Sequence, residues 1–309
     1  MITRLHVTGF RCVKDASLAL TPLHALVGPN DSGKSTLLRA VFDAVTPWAP
    51  PGVRFAVEGI LGAEDSYRVE TGGVRRMADG GWVDPAWVQK NHPRPHFLRL
   101  DPDQMRLPSS LVEGTTVRID ERGERLAGIY DWLLNQERET FFAIEEETRR
   151  LFPLVKRLGL KVVGNSKVLE VQLHDGTRVP AEHLSEGLLY WLAYASLPAT
   201  SGKSLLLVEE PENGLHPTRI AEVVGVLRRV AESGTQVVLA THSPLVLNEL
   251  RPEEVSVVTR SPEAGTQVRR FLDVPGLDRL LQAFSLGELW LAYADGRDEA
   301  ALFSARLAS

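Results

Sequence analysis

The run Gly28-Pro-Asn-Asp-Ser-Gly33-Lys34-Ser35 limits what this chain can fold into more than any other feature. It matches the pattern G-x-x-x-x-G-K-[ST] and stands between an apolar run, LHALV, and a helical pattern, KSTLLRAVFDAV. A loop in that position turns successive backbone N–H groups toward one point. The helix that opens behind it adds the positive end of its dipole, so a polyphosphate suits the loop. The residues expected to cradle it are Gly28, Pro29, Asn30, Asp31, Ser32, Gly33, Lys34, Ser35 and Thr36. Lys34 would hold the β and γ phosphates and Ser35 would ligate Mg²⁺.

A second feature is Leu205-Leu-Leu-Val-Glu209-Glu210, an apolar strand that ends in two carboxylates, and open α/β sheets bind ligands at strand ends. Adjacent strand residues point opposite ways, which divides the labour. Glu209 is assigned to the metal and Glu210 to general base on the attacking water. Thr241-His242-Ser243 follows the strand-like VVLA, and Leu184-Ser185-Glu186-Gly187 opens a helix with Ser185 at the N-cap. From Leu184 to Leu281 helical and strand-like runs alternate, the signature of a parallel sheet covered by helices. Ile220, Val223, Val224, Leu227 and Val230 form one apolar helix stripe and are expected in the core.

The rest of the chain is less regular. Residues 1–47 and 160–260 are read as the nucleotide-binding core of a single domain, and 48–123 as a β-rich antiparallel flank for which no function is evident. Residues 124–159 read as a short helical arm, rich in charge and interrupted by Pro153, without the sustained heptads of a long coiled coil. KVLEVQL-HDGT-RVP reads as a hairpin, and 261–309 as a C-terminal tail with a closing helix.

Composition narrows the setting. The one cysteine, Cys12, excludes an intramolecular disulfide and is expected to be inert packing, and no Cys/His cluster has zinc spacing. No stretch of eighteen apolar residues and no leader pattern occurs, so a cytoplasmic protein with no membrane segment is expected. The net charge of -5 argues against a surface that is basic throughout but leaves room for a local basic stripe.

In their order, phosphate loop, Leu-Ser-x-Gly, carboxylate strand and strand-histidine resemble the ATP-binding cassette family over roughly residues 1 to 45 and 182 to 245. VEEPENGLHP, and the opening ITRLHVTGFRCVKDASLAL that leads straight to GPNDSGKST, look like the branch containing RecF, SMC-type and OLD-type ATPases. The resemblance implies an α/β P-loop NTPase fold of the ABC ATPase head type, with an antiparallel flank, a parallel sheet core and a short helical lobe. ATP and Mg²⁺ are the implied nucleotide and metal, and the implied reaction is hydrolysis of ATP to ADP and phosphate. Ser185 and Gly187 would contact the γ-phosphate held by a second molecule, and His242 would sense it in its own site. Asn213, Gly214 and Leu215 match the loop at the seam of such a homodimer. Gln104, with Gln89 as the alternative, is the candidate for the glutamine that reaches metal and nucleotide. Arg11, in the GFRCVKD turn, is a candidate for ribose or phosphate contact. Glu209 stands where many cassettes have aspartate.

Two jobs fit such a cycle. One is a clamp closing on DNA or RNA, in repair, maintenance or antiphage defence, with Arg149, Arg150, Lys156, Arg157 and Lys161 as its basic stripe. The other is a switch that holds a separate effector protein. A transporter subunit fits less well, and no Asn-Lys-x-Asp element points to GTP. OLD-like relatives often append a Toprim nuclease, but fewer than seventy residues follow His242, and Asp295 and Asp298 lack the expected Asp-x-Asp spacing. Trp290 and Tyr293 are expected to be packing residues.

Overall fold

The computed structural model describes residues 1–46, 51–58, 66–70, 73–76, 82–83, 95–110, 118–202 and 205–293. Gln89, Thr115 to Val117 of the strand-like TTVRI, Asp295 and Asp298 lie outside them. The chain forms two compact units: Met1–His96, Lys203–Pro211 and Gly234–Ser309 make the first, and Phe97–Gly202 with Glu212–Ser233 the second. Residues 160–202, drawn with the nucleotide-binding core from the sequence, thus fall in the second unit, and the flank drawn over 48–123 is divided, with Arg54–Glu58 to Trp82–Val83 in the first unit and Ser109–Ser110 in the second.

The first unit is built on a largely parallel sheet. Its strands run in the order Gly265–Arg270, Val255–Ser261, Leu23–Val27, Gln236–Thr241, Leu205–Glu209. The last four of these are parallel, with Val27 level with Thr241 and Ala240 level with Glu209. These strands are apolar on both faces because both faces are covered: Leu26, Val27, Leu205 to Val208 and Val237 to Leu239 are all fully buried. Helix Lys34–Ala44 packs on this sheet and buries Leu37, Leu38, Val41 and Ala44. A second, antiparallel sheet takes Val13–Ala19, Arg4–Phe10, Arg54–Glu58, Tyr67–Glu70, Gly73–Arg76 and Trp82–Val83 in that order. Leu5, Val7, Leu18, Phe55 and Val57 make its buried side.

The segment read as a tail from residue 261 begins instead inside an antiparallel hairpin, Val255–Ser261 and Gly265–Arg270, whose first strand lies parallel to Leu23–Val27. Polar residues interrupt its alternation, TRSPEAGTQVRR, which conceals the strands from a periodicity reading.

His24 sits in this sheet with its imidazole buried between the Thr21 hydroxyl at 3.2 Å and the Ser256 hydroxyl at 3.0 Å. Burial holds its pKa down to about 4, against a smaller upward pull from Glu254. The ordinary value of about 6.5 applies to the unfolded chain, so between these limits the unfolded state binds the extra proton. The stabilisation is complete above pH 6.5 and is lost as the pH falls toward 4. Urea unfolding should therefore show about 2 kcal/mol less stability from this residue at pH 5 than at pH 7. His24→Gln, which cannot titrate, should flatten that slope; an unchanged slope would contradict the account.

The second unit packs helices Leu126–Gln136, Arg138–Leu151, Glu186–Ala195 and Pro217–Glu232 with the ladder Val155–Val163, Ser166–Leu173, Arg178–Pro180. Two of its buried aromatic polar groups are paired. The Trp191 indole donates to Thr148 Oγ1 at 2.9 Å, and the Tyr130 hydroxyl to the Leu192 carbonyl at 2.9 Å. Ile220, Val223, Val224, Leu227 and Val230 are all buried. The helical reading of 124–159 needs correction at its end. Helix stops at Leu151, before Pro153, and Val155 opens a strand that pairs with Leu173 and runs antiparallel to Ser166–Leu173. The alternating partners on Ser166–Leu173 outweigh the charge-rich, helix-like composition of residues 155 to 159.

Candidate functional site

The phosphate loop joins the buried strand Leu23–Val27 to helix Lys34–Ala44. Gly33 is the helix N-cap at φ 104, a left-handed conformation that a side chain disfavours. Space excludes one as well: a Cβ on Gly33 would lie 2.5 Å from Thr266 Oγ1, and one on Gly28 would lie 2.3 Å from the Val258 carbonyl oxygen. Asp31 takes φ 65, so the loop turns twice through the left-handed region. Lys34 is buried and its ammonium donates to the carbonyls of Gly28 and Pro29, each at 2.8 Å. Ser32 Oγ is buried inside the loop with no hydrogen-bond partner. A helix N-terminus, an inward-turned ammonium and an orphaned hydroxyl fit a polyphosphate.

The carboxylate strand and the histidine strand end beside this loop. Glu209 closes Leu205–Glu209, level with Ala240, and the next residue, Glu210, donates its N–H to the Ala240 carbonyl at 2.8 Å. Glu210 has φ 46, in the left-handed region. For a glutamate this costs on the order of 1 kcal/mol, so the surroundings must hold it there. That backbone turns the side chain toward the next strand end, where His242 Nδ1 stands 3.4 Å from Glu210 Oε1. Both side chains are partly open, at 36% and 48% exposure. His242 is held by a tight turn in which the Ser243 N–H donates to Thr241 Oγ1 at 2.9 Å.

Among the described residues no cluster of three or more His, Cys, Asp or Glu could hold a metal by itself. Mg²⁺ accepts such a setting, because it is commonly bound by one or two protein oxygens together with substrate phosphates and water. Ser35, exposed on the first turn of the helix, and Glu209, partly exposed at its strand end, are two of the oxygens in this unit.

The first unit thus brings together Gly28 to Thr36, Glu209, Glu210 and His242. Arg11 is also in it, at φ 53, but its guanidinium lies 5.3 Å from the Phe10 ring centre and its charge acts on Asp43. Asp43 is roughly two and a half helical turns past Lys34, which ties Arg11 to the helix end more than to the loop. The other candidates belong to the second unit. Gln104, half-buried, is on the short helix Pro102–Met105, which Asp101 caps by accepting from the Asp103 N–H. Ser185 is exposed and caps helix Glu186–Ala195, its hydroxyl accepting from the Leu188 N–H at 3.4 Å. Gly187 lies against the loop of Asn213 to Leu215, since a Cβ there would come 3.3 Å from the Gly214 carbonyl oxygen. Gly214 in turn has φ 67 and leaves room for the Tyr190 ring, 2.3 Å from where its Cβ would be.

Three contacts around these motifs were not foreseen from the sequence. Arg106 donates to the Leu184 carbonyl at 3.3 Å, Tyr190 fills the space over Gly214, and Thr266 reaches the phosphate loop. Each joins segments distant in sequence, where no local pattern announces a partner.

A family model described as "AAA domain, putative AbiEii toxin, Type IV TA system" matches residues 88–248, more than half of the chain, and a second, described as "AAA ATPase domain", matches residues 1–43. The OLD nuclease of Thermus scotoductus is 24% identical over 363 residues, which cover 93% of this chain and 68% of that protein. The Old nuclease of Escherichia phage P2 is 22% identical over 335 residues, covering 80% of this chain and 57% of that protein. Among solved structures, an SMC head bound to the C-winged helix domain of ScpA superposes with TM-score 0.59 at 16% identity, covering 87% of this chain and 97% of that one. The fold is that of the SMC head, a P-loop ATPase architecture. The chain belongs to the AAA domain family of the first description, as an ABC-like ATPase of the OLD/RecF/SMC branch.

Proposed function

We propose that the chain binds and hydrolyses ATP as a switch that closes when two copies meet head to tail and opens when the γ-phosphate is lost. The observation that carries this reading is the pair Glu210 and His242, 3.4 Å apart at neighbouring strand ends, with Glu210 on left-handed backbone. In this reading the Glu210 carboxylate accepts a proton from the attacking water, and His242 orients that carboxylate and donates to the γ-phosphate. Lys34 leaves its loop carbonyls for the β and γ phosphates. Mg²⁺, held by Ser35 and supported by Glu209, would supply charge neutralisation at those phosphates.

Ser185 and Gly187 are given to the second copy's nucleotide. Exposure of Ser185 at a helix N-terminus, with the Asn213 to Leu215 loop beside it, supports an outward-facing anion site. ATP then stabilises the closed dimer because groups from both chains contact one triphosphate, and hydrolysis removes that differential binding. Light scattering tests it: without nucleotide the mass should be that of one chain, 34.1 kDa. It should double with ATP under conditions that prevent turnover. A mass that never responds to ATP rules the switch out.

The client is proposed to be nucleic acid, in maintenance or defence. Two relatives carry nuclease in their names. Lys156, Arg157 and Lys161 are exposed on one strand, with no ion pair to them among the described residues. Arg150 is less available, being paired with Glu222 at 3.0 Å and Glu147 at 3.7 Å. ATP turnover stimulated by DNA or RNA, fading steeply with added salt, is the expected outcome. Turnover indifferent to both would favour the switch that holds a separate effector protein.

A further inference from the structure

The hairpin Val255–Arg270 braces the phosphate loop from behind. Its Val258 carbonyl lies against Gly28, and the Arg260 guanidinium approaches the Asp31 carbonyl at 3.5 Å. Thr266, fully buried, donates its hydroxyl to the Ser32 carbonyl at 3.0 Å, while its backbone N–H donates to the Cys12 carbonyl at 3.2 Å. The Thr266 side chain also occupies the volume that any side chain on Gly33 would need, with Oγ1 at 2.5 Å and Cγ2 at 3.1 Å from the Cβ position. The hydroxyl has a single hydrogen and two neighbours, the Ser32 carbonyl at 3.0 Å and Cys12 Sγ at 3.4 Å. A carbonyl is the stronger acceptor and here the nearer, so the hydrogen goes to Ser32 and the thiol is left to donate to the threonine oxygen.

We propose that Thr266 is a positioning residue for nucleotide binding, which acts by orienting the peptide between Ser32 and Gly33. In a trans peptide the carbonyl of one residue and the N–H of the next point in opposite directions. A hydroxyl that fixes the Ser32 carbonyl outward, toward the hairpin, fixes the Gly33 N–H inward, toward the centre of the loop. That N–H is among the donors a phosphate would use at the start of the helix. Without the brace, the peptide is free to rotate in the nucleotide-free loop, and ordering it falls to the ligand. The cost then appears in affinity, whereas the reacting groups Glu210 and His242, on other strands, are untouched once ATP is bound.

The proposal rests on the reading of Gly28 to Thr36 as a nucleotide site, and the experiment separates the two. Nucleotide affinity is measured by calorimetry with ATP and with ADP, without Mg²⁺, for two pairs that each differ by the hydroxyl: Thr266 against Thr266→Val, and Thr266→Ser against Thr266→Ala. The expected result is a loss of about tenfold in each pair, as for a buried carbonyl deprived of its donor. Steady-state kinetics should show the loss in KM, with kcat within about twofold of the parent. Thr266→Ser should bind nearly as well as the parent, because it keeps the donor and loses only a methyl. A merely structural threonine would lower the melting temperature without this hydroxyl-specific split. If neither pair differs in affinity, or if Ser and Val lose it equally, the proposal is overturned. Lys34→Ala serves as the reference: should it bind like the parent, the nucleotide reading itself fails; should it not bind while Thr266→Val binds normally, the brace alone fails. Should Thr266→Val not fold, the Ser and Ala pair decides by itself.

Discussion

In Glu210→Gln, steady-state ATP turnover is expected to fall about 10²- to 10³-fold, within the range that one positioned general base contributes. Nucleotide affinity should stay near the parent value, because the phosphate loop is on another strand and the substitution changes no backbone contact. The amide keeps the size of the carboxylate and can still meet His242 Nδ1, 3.4 Å away in the parent, but it cannot take a proton. Because the γ-phosphate persists, the variant should also collect as an ATP-bound dimer, visible as a doubled mass that outlasts removal of free nucleotide. Rapid-quench measurement of a single turnover, set beside the elution profile, checks both. Parent-like hydrolysis would remove Glu210 from the chemistry, and the strained backbone at φ 46 would then have no functional account.

Much of this site was legible in the sequence because its parts are local. Gly33 and Lys34 stand on the strand-to-helix turn that their spacing predicted, and Ser185 caps the helix it was read as opening. These are matters of a few residues of backbone, which composition at fixed offsets encodes. Part of the antiparallel sheet was also visible, since the flank's alternation over Arg54–Glu58 reflects one buried side. The hairpin Val255–Arg270 was missed because its outer strand is mostly polar, with Arg269 and Arg270 exposed, so no period of two survives. Thr266 was missed for a different reason. Its partner Ser32 is 234 residues away, and a buried hydroxyl looks the same in sequence as an exposed one. The left-handed turn at Glu210 was hidden too, because the residue that would announce it, glycine, is absent where a carboxylate is needed. Residues 155 to 159 were read as helical because their charge-rich composition favoured it locally, whereas Ser166–Leu173 settles the matter by pairing.

The largest test of the shared-site reading is complementation between two inactive variants. Lys34→Ala removes the ammonium that the polyphosphate needs, and Ser185→Asp sets a carboxylate where the neighbour's γ-phosphate would come. Aspartate is as good an N-cap as serine, so helix Glu186–Ala195 should keep its start, and the loss can be assigned to charge repulsion and not to unfolding. Each variant alone should lose about 10²-fold or more in turnover, since every site it can form lacks one of the two groups. Mixed in equal amounts, only dimers that pair one variant with the other hold an intact site, one of their two, with Lys34 from the Ser185→Asp chain and Ser185 from the Lys34→Ala chain, and ATP favours those dimers. Turnover should therefore return to between about a quarter of the parent value, for random pairing, and about half, for complete mixed pairing, if sites fire independently. The recovery should also rise with the square of total protein at low concentration, because it depends on two chains meeting. A mixture no more active than its components, with both chains folded and dimerising with ATP, would mean that Ser185 serves no nucleotide but its own chain's or none at all. In that case the cycle would need only one subunit, and opening of the dimer on hydrolysis would lose its physical cause.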